Sequence, residues 1–164
     1  MDTIHRQLTE YYELYKETDL LYGHVAEQSG LSAAMFWTIY MVYASPNGCA
    51  PKDVCGFCAM SKQTVHSALK KLEREGYVRL ETDERDRRSK RIVLLEKGEH
   101  YAAAYLRPLF RAEEEAFAAM SEGEREGLLR GSRVFLEQLR CAMARYSAAL
   151  PNGSQTKSRQ TEAL

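Results

Sequence analysis

Residues 61–91 read SKQTVHSALKKLEREGYVRLETDERDRRSKR, and the fold turns on how this stretch is understood. Between Ser61 and Arg74, the apolar residues Val65, Ala68, Leu69 and Leu72 recur at i, i+3, i+4 and i+7, one stripe of a helix. The opposite side carries Gln63, Ser67, Lys70 and Arg74, flanked by Thr64, His66 and Lys71, and no acid precedes Glu73. Ser61 is placed to cap the helix by accepting an early backbone N–H, and Gly76 to stop it through a left-handed turn. By itself this is an amphipathic helix with a solvated basic face. After Gly76, Tyr77–Glu81 alternates as a strand, Arg91–Leu95 reads as its return partner, and TDERDRRSK between them is the polar, charged loop of a hairpin.

Upstream, Pro51 suits the first turn of a short helix reaching about Phe57, with Asp53 favourable near its positive end. Cys58-Ala59-Met60 then leads straight into the capped helix. Two helices joined by so short a connection form a helix-turn-helix, and the hairpin behind it makes a winged helix.

Further out, residues 3–28 predict a long helix on which Ile4, Leu8, Tyr11, Tyr15, Thr18, Tyr22 and Val25 recur at spacings of four and three, widened by Leu14 and Leu21. So broad a face suggests packing against another chain as well as against its own core. Gly30 breaks that helix, Ser32 caps the next, and the nearly all-apolar run to about Ala44 predicts burial. A long helix is expected from Glu96 to about Met120, kinked or left with one unpaired carbonyl at Pro108. Ser121 with Glu124 makes a capping-box pattern that starts a last helix, through about Tyr146, with Leu128, Leu129, Phe135, Leu136, Leu139 and Met143 on its apolar side. The expected fold is mainly α with a small β-hairpin wing. A single domain over residues 1–146 holds a winged helix-turn-helix lobe at 48–95, framed by helices of 1–30 and 96–146. Residues 147–164 read as a flexible tail.

The 164 residues carry no net charge, but the charge is unevenly placed. Residues 1–50 and 92–126 are each net −4, whereas 51–91 and 127–164 are each net +4. A basic centre between acidic segments suits local phosphate contact without general stickiness. No apolar run reaches the roughly 18 residues of a membrane span, and the polar N-terminus lacks the apolar core of a signal peptide. A cytoplasmic protein is expected. There is no glycine-rich phosphate loop, nucleophile elbow or metalloprotease signature, so an enzyme is not expected and no cofactor is implied.

The order of helices and wing resembles the MarR family of bacterial transcriptional regulators across about residues 3–146. The resemblance is carried by PKDVCGFCAMSKQTVHSALKKLEREGYV and by DRRSKRIVLLEKG, whose Asp86, Arg88, Arg91, Val93-Leu94 and Gly98 match the family's wing pattern. It implies a ligand-responsive repressor that binds double-stranded DNA as a homodimer on a pseudo-palindromic site, with the recognition helix in the major groove and the wing tip in the adjacent minor groove. Carried onto this chain, Ser61, Lys62, Gln63, Thr64, His66 and Ser67 lie where base edges are met, and Gln63 suits a bidentate adenine contact. Lys70, Lys71 and Arg74 suit phosphates, and Arg85, Arg87 and Arg88 a narrow minor groove. Two helix-capping positions depart from the family, with Leu95 and Ala50 where threonine or serine is common. The first helix has no cysteine, so the mechanism of the peroxide-sensing branch is not carried over.

The family usually binds small, often aromatic or phenolic, anionic ligands between its dimer helices and its DNA-binding lobe. Tyr15, Trp37, Tyr40 and Tyr101 are the candidate pocket residues here, drawn from an aromatic set that also serves core packing. Cys55-Gly-Phe-Cys58 leaves three readings open: core packing, a redox pair, or half of a metal site. His5, His24, His66 and His100 show no metal-ligand spacing, and no metal is expected. A thiol- or metal-sensing regulator acting through Cys55 and Cys58, and a winged-helix adaptor that no longer binds DNA, are the alternatives.

Overall fold

The apolar stripe of the 61–74 segment is where the core begins. In the computed structural model, which describes residues 2–46, 48–82 and 89–150, the chain runs α1 (Thr3–Gln28), α2 (Ala33–Tyr43), α3 (Pro51–Phe57), α4 (Lys62–Arg74), β1 (Val78–Thr82), β2 (Lys90–Leu94), α5 (Glu96–Tyr101), a π-helical turn (Ala102–Leu106), α6 (Arg107–Ala119) and α7 (Glu122–Ala149). Mainly helical with a two-stranded antiparallel hairpin, it is a winged helix-turn-helix with helices before and after it. The described residues up to Glu113 and those from Glu114 onward form two compact units. No described helix is long and apolar enough to cross a membrane.

Val65, Ala68, Leu69 and Leu72 of α4 are all buried and pack against α2 and α3. The facing surface of α2 supplies Met35, Phe36 and Ile39. Thr38, fully buried among them, satisfies its hydroxyl by donating to the Ala34 carbonyl at 2.6 Å. Val54 of α3, Val78 of β1 and Ile92 of β2 close the same core. Ser61 caps α4, its Oγ accepting from the Thr64 N–H at 3.1 Å. At the other end Gly76 takes φ 78°. Its N–H donates to the Glu73 carbonyl, and the Tyr77 N–H reaches back to that of Leu72. This is a Schellman close, which requires the left-handed residue.

The hairpin pairs Val78 with Leu94 through Thr82 with Lys90. A bridge from Cys49 to Ile92 fastens the return strand to the segment before α3, the Ile92 N–H donating to the Cys49 carbonyl at 2.8 Å. Gly98 lets α5 sit directly on the start of β1, for a Cβ there would overlap the Tyr77 carbonyl oxygen. Ala50 and Leu95 occupy N-cap positions without a side-chain cap. At Ala50 the deficit is half met by Asp53, whose carboxylate accepts the Ala50 N–H at 2.8 Å. Ser32 also stands at an N-cap position but makes no side-chain cap bond.

Two expectations need correction. The single helix expected over 96–120 is interrupted by a π turn at 102–106, where the Arg107 N–H reaches the Ala102 carbonyl. Pro108 has no N–H for the carbonyl four residues back and its ring would press on it; a wider turn just before relieves both. The last helix runs past Tyr146 to Ala149, so residues 147–149 are not tail. It stops because Leu150 precedes Pro151, and that position disfavours helical geometry; Leu150 takes φ −68°, ψ 137°. Residues 151–164 lie outside the described residues. The Ser121–Glu124 box forms as expected, the Ser121 Oγ accepting the Glu124 N–H and the Glu124 carboxylate the Ser121 N–H.

Candidate nucleic-acid interface and aromatic cleft

Burying one stripe of α4 leaves the other in solvent. Lys62, Gln63, Thr64, His66, Ser67, Lys70, Lys71 and Arg74 are all exposed along it. Ser61 and Thr64 are partly occupied with each other, their hydroxyl oxygens 2.8 Å apart. Glu73 does not interrupt the basic face, because its Oε1 accepts the Leu80 N–H at 3.2 Å and so turns toward β1. The same bond ties α4 to the wing. Lys97, which sequence reasoning passed over, adds a second tie. Its Nζ donates to the Glu75 carbonyl at 2.9 Å, at the negative end of α4, and lies 4.1 Å from the centre of the Tyr77 ring.

The wing is braced at its stem. Arg79 donates to Glu81 at 2.6 Å and Arg91 to the other oxygen of Glu81 at 3.4 Å. These two hydrogen bonds, that of Arg79 foremost, hold the Glu81 carboxyl below the usual range. Arg91, a motif position, is therefore a strut within the hairpin. Lys90 donates to Thr82 Oγ1 across the hairpin and stays exposed. It is a further cation at the stem that the sequence reading did not single out. Arg85, Arg87 and Arg88 lie outside the described residues.

A cleft of about 530 Å³ opens between α1, α2 and the connection from α3 to α4. Tyr15, Trp37 and Tyr40, three of the four candidate pocket residues, line it with Tyr22 and Phe57. Tyr101 lies elsewhere. It is buried against Tyr77 and Tyr105, because Gly98 draws α5 onto β1. Tyr22 was missed as a lining residue, though it shares the α1 stripe with Tyr15 at i+7, which was the available signal. Glu113 had no such signal: its carboxylate accepts the Tyr22 hydroxyl at 2.8 Å and the Tyr40 hydroxyl at 3.2 Å. Burial, then the Glu113 carboxylate, push the Tyr40 phenol up to about 12, and burial with the Glu113 hydrogen bond raises Tyr22 as well. The floor of the cleft includes Ala59, held at φ 49° without being glycine, in the connection that aims α4.

All four cysteines are free. Cys55 and Cys58 are half-buried and pack against the lobe core. Burial raises the Cys58 thiol, and burial with the Asp53 charge pushes Cys49 up to about 11. That is the direction opposite to an activated thiolate. Among the described residues no three His, Cys, Asp or Glu side chains are grouped to hold a metal ion.

Known proteins place this arrangement. Over 108 residues the chain is 27% identical to the transcriptional activatory protein BadR of Rhodopseudomonas palustris, a match covering 62% of this chain and 61% of that protein. The chain thus spans about three fifths of the length of this curated relative. The fold is similar to that of NMB1585, a MarR family regulator from Neisseria meningitidis, with TM-score 0.70 and 21% identity over 89% of this chain and 99% of the other. It is also similar to S. aureus MepR in DNA-binding conformation, with TM-score 0.66 and 22% identity over 79% of this chain and 98% of the other. At these identities the two structures speak to the fold alone. The MarR family model matches residues 29–89, from the end of α1 through α4 to the hairpin, so this lobe matches the MarR family, and the fold around it is similar to that of solved MarR family regulators.

Proposed function

We propose that the protein is a sequence-specific DNA-binding transcriptional regulator that acts in the cytoplasm as a homodimer on a pseudo-palindromic operator. The observation that carries this reading is the outward face of α4. Eight exposed polar or cationic side chains follow one another from Lys62 to Arg74, and the one acid among them, Glu73, is turned away to the wing. Such a face hydrogen-bonds base edges near its start and pairs with phosphates toward its end. Arg85, Arg87 and Arg88, at the hairpin tip in sequence, would probe the minor groove. The relatives agree with this: one is called a transcriptional activatory protein and another has been seen in a DNA-binding conformation. No catalytic role is proposed.

The homodimer reading is supported by apolar side chains left in solvent on α1 and on α7, such as Ile4 and Leu21 on the first and Leu128 and Met143 on the second. A two-fold dimer presents two copies of α4, which is why a pseudo-palindrome is expected. The effector reading is supported by the cleft, whose floor is the segment that aims α4. A molecule seated there touches both α1 and the reading head, so occupancy biases the position of α4 and releases DNA. In this form the regulator is a repressor. Activation is the second reading, favoured by the name of the R. palustris relative.

A gel shift with the DNA upstream of its own gene tests the proposal, backed by selection from random sequence. Salt-sensitive, sequence-selective binding is expected. Absence of binding to every sequence would leave the adaptor reading. A reporter fused to the bound promoter separates repression from activation.

A further inference from the structure

The walls of the cleft say which charge its occupant carries. Trp37 lies 5.5 Å from Tyr22 and 5.1 Å from Tyr40, with interplanar angles of 48° and 66°. Phe57 stacks beside Tyr40 at 6.1 Å. These rings are angled walls around one space. Aromatic faces carry negative potential and attract cations lying within about 6 Å of the ring centre. Among the residues that line the cleft, Asp19 alone bears a formal charge, and it is exposed. Behind the walls, Tyr22 and Tyr40 both donate to Glu113, and a phenol that donates to a carboxylate has a more electron-rich ring. An anion here would meet no lysine or arginine and would face Asp19; a cation would meet ring faces and a carboxylate.

We propose that the cleft binds a small organic cation, an aromatic or alkyl ammonium compound, held by Tyr22, Trp37, Tyr40 and Phe57 and paired with Asp19. The volume of about 530 Å³ suits a ligand of that kind. This keeps the expectation of a small effector but reverses its charge from the anion that the family resemblance implied, because the lining holds Asp19 and no lysine or arginine. It rests on the proposed regulator only for the consequence of binding, since the binding itself needs the cleft alone.

Trp37 is the single tryptophan of the chain, so its fluorescence in the full-length protein reports on the cleft. Benzyltrimethylammonium is titrated against phenylacetate, a ring of similar size with the opposite charge. The cation is expected to change the emission saturably and to bind at least about tenfold tighter than the anion. Asp19→Asn is expected to weaken the cation about fivefold without changing the circular dichroism, because Asp19 is exposed. Asp19→Lys should reverse the preference. Equal or tighter binding of phenylacetate, an unchanged cation affinity in Asp19→Asn, or no response to either ligand would overturn the proposal. The gel shift, run in parallel, separates the two readings. DNA binding with a silent Trp37 discards the cation site and keeps the regulator, while cation binding without DNA binding does the reverse.

Discussion

Helices α4 and α7 carry apolar stripes that look alike on paper and end in opposite situations. Val65, Leu69 and Leu72 of α4 are at most 2% exposed, whereas Leu128, Leu136 and Met143 of α7 are about half exposed. In α4 the stripe meets α2 and α3 within the lobe. No residue of α7 is buried, although the helix is 28 residues long. An amphipathic stripe therefore states that a surface is wanted and leaves open whether the chain itself provides it. The lobe answers from within. α7, and the outward part of α1, fit an answer from a second copy.

The sharpest way to break this contrast is to hollow out the lobe. Phe36→Ala, at a fully buried site on α2, should cost about 3–5 kcal/mol in urea denaturation at any protein concentration. The α7 counterpart, Leu128→Asp or Leu136→Asp, should weaken the proposed dimer by about 1.5–3 kcal/mol per protomer, read by sedimentation-equilibrium ultracentrifugation, while the lobe stays folded. A concentration-independent loss of folding from α7 variants would mean that the stripe serves its own chain.

Gly98→Ala tests a close approach within the lobe. The added Cβ would overlap a backbone oxygen, that of Tyr77, which cannot swing aside as a side chain would, and a loss of about 1–3 kcal/mol is expected by thermal melting. In the other direction, Leu95→Thr should stabilise α5 by up to about 1 kcal/mol, because that N-cap has no side-chain acceptor. The smallest effect is spectroscopic. In the fold the neutral phenols of Tyr22 and Tyr40 are favoured by burial and by Glu113. Their contribution to stability is complete below the unfolded tyrosine pKa near 10 and is lost as pH rises through about 12 for Tyr40. On alkaline titration both should ionise above the ordinary tyrosine range, and Glu113→Gln should bring them earlier.

What was legible beforehand was local. The Ser61 cap, the Gly76 stop and the Ser121–Glu124 box each involve partners within five residues, and each formed as the spacing implied. So did the hairpin, which alternation and a polar tip announce over a short span. The π turn before Pro108 was half legible: the proline signalled a disturbance, but its form depends on what the neighbouring turns bury. The cleft was legible only as a surplus of aromatic residues. Tyr15, Trp37 and Tyr40 came together, while Tyr101 was drawn away by a contact between Gly98 and Tyr77, 21 positions apart.

By itself, then, the order of residues determined most of the helices, the caps at Ser61 and Ser121, the paired strands of the hairpin and the polar face of α4, because these depend on dihedral preferences and on periodicity along one element. Tertiary structure alone decided which aromatic rings share a space, that Arg91 braces Glu81, and that Glu113 gathers two phenols from helices 91 and 73 residues away. Those pairings depend on how elements distant in sequence pack, and packing answers to shape and burial across the whole lobe.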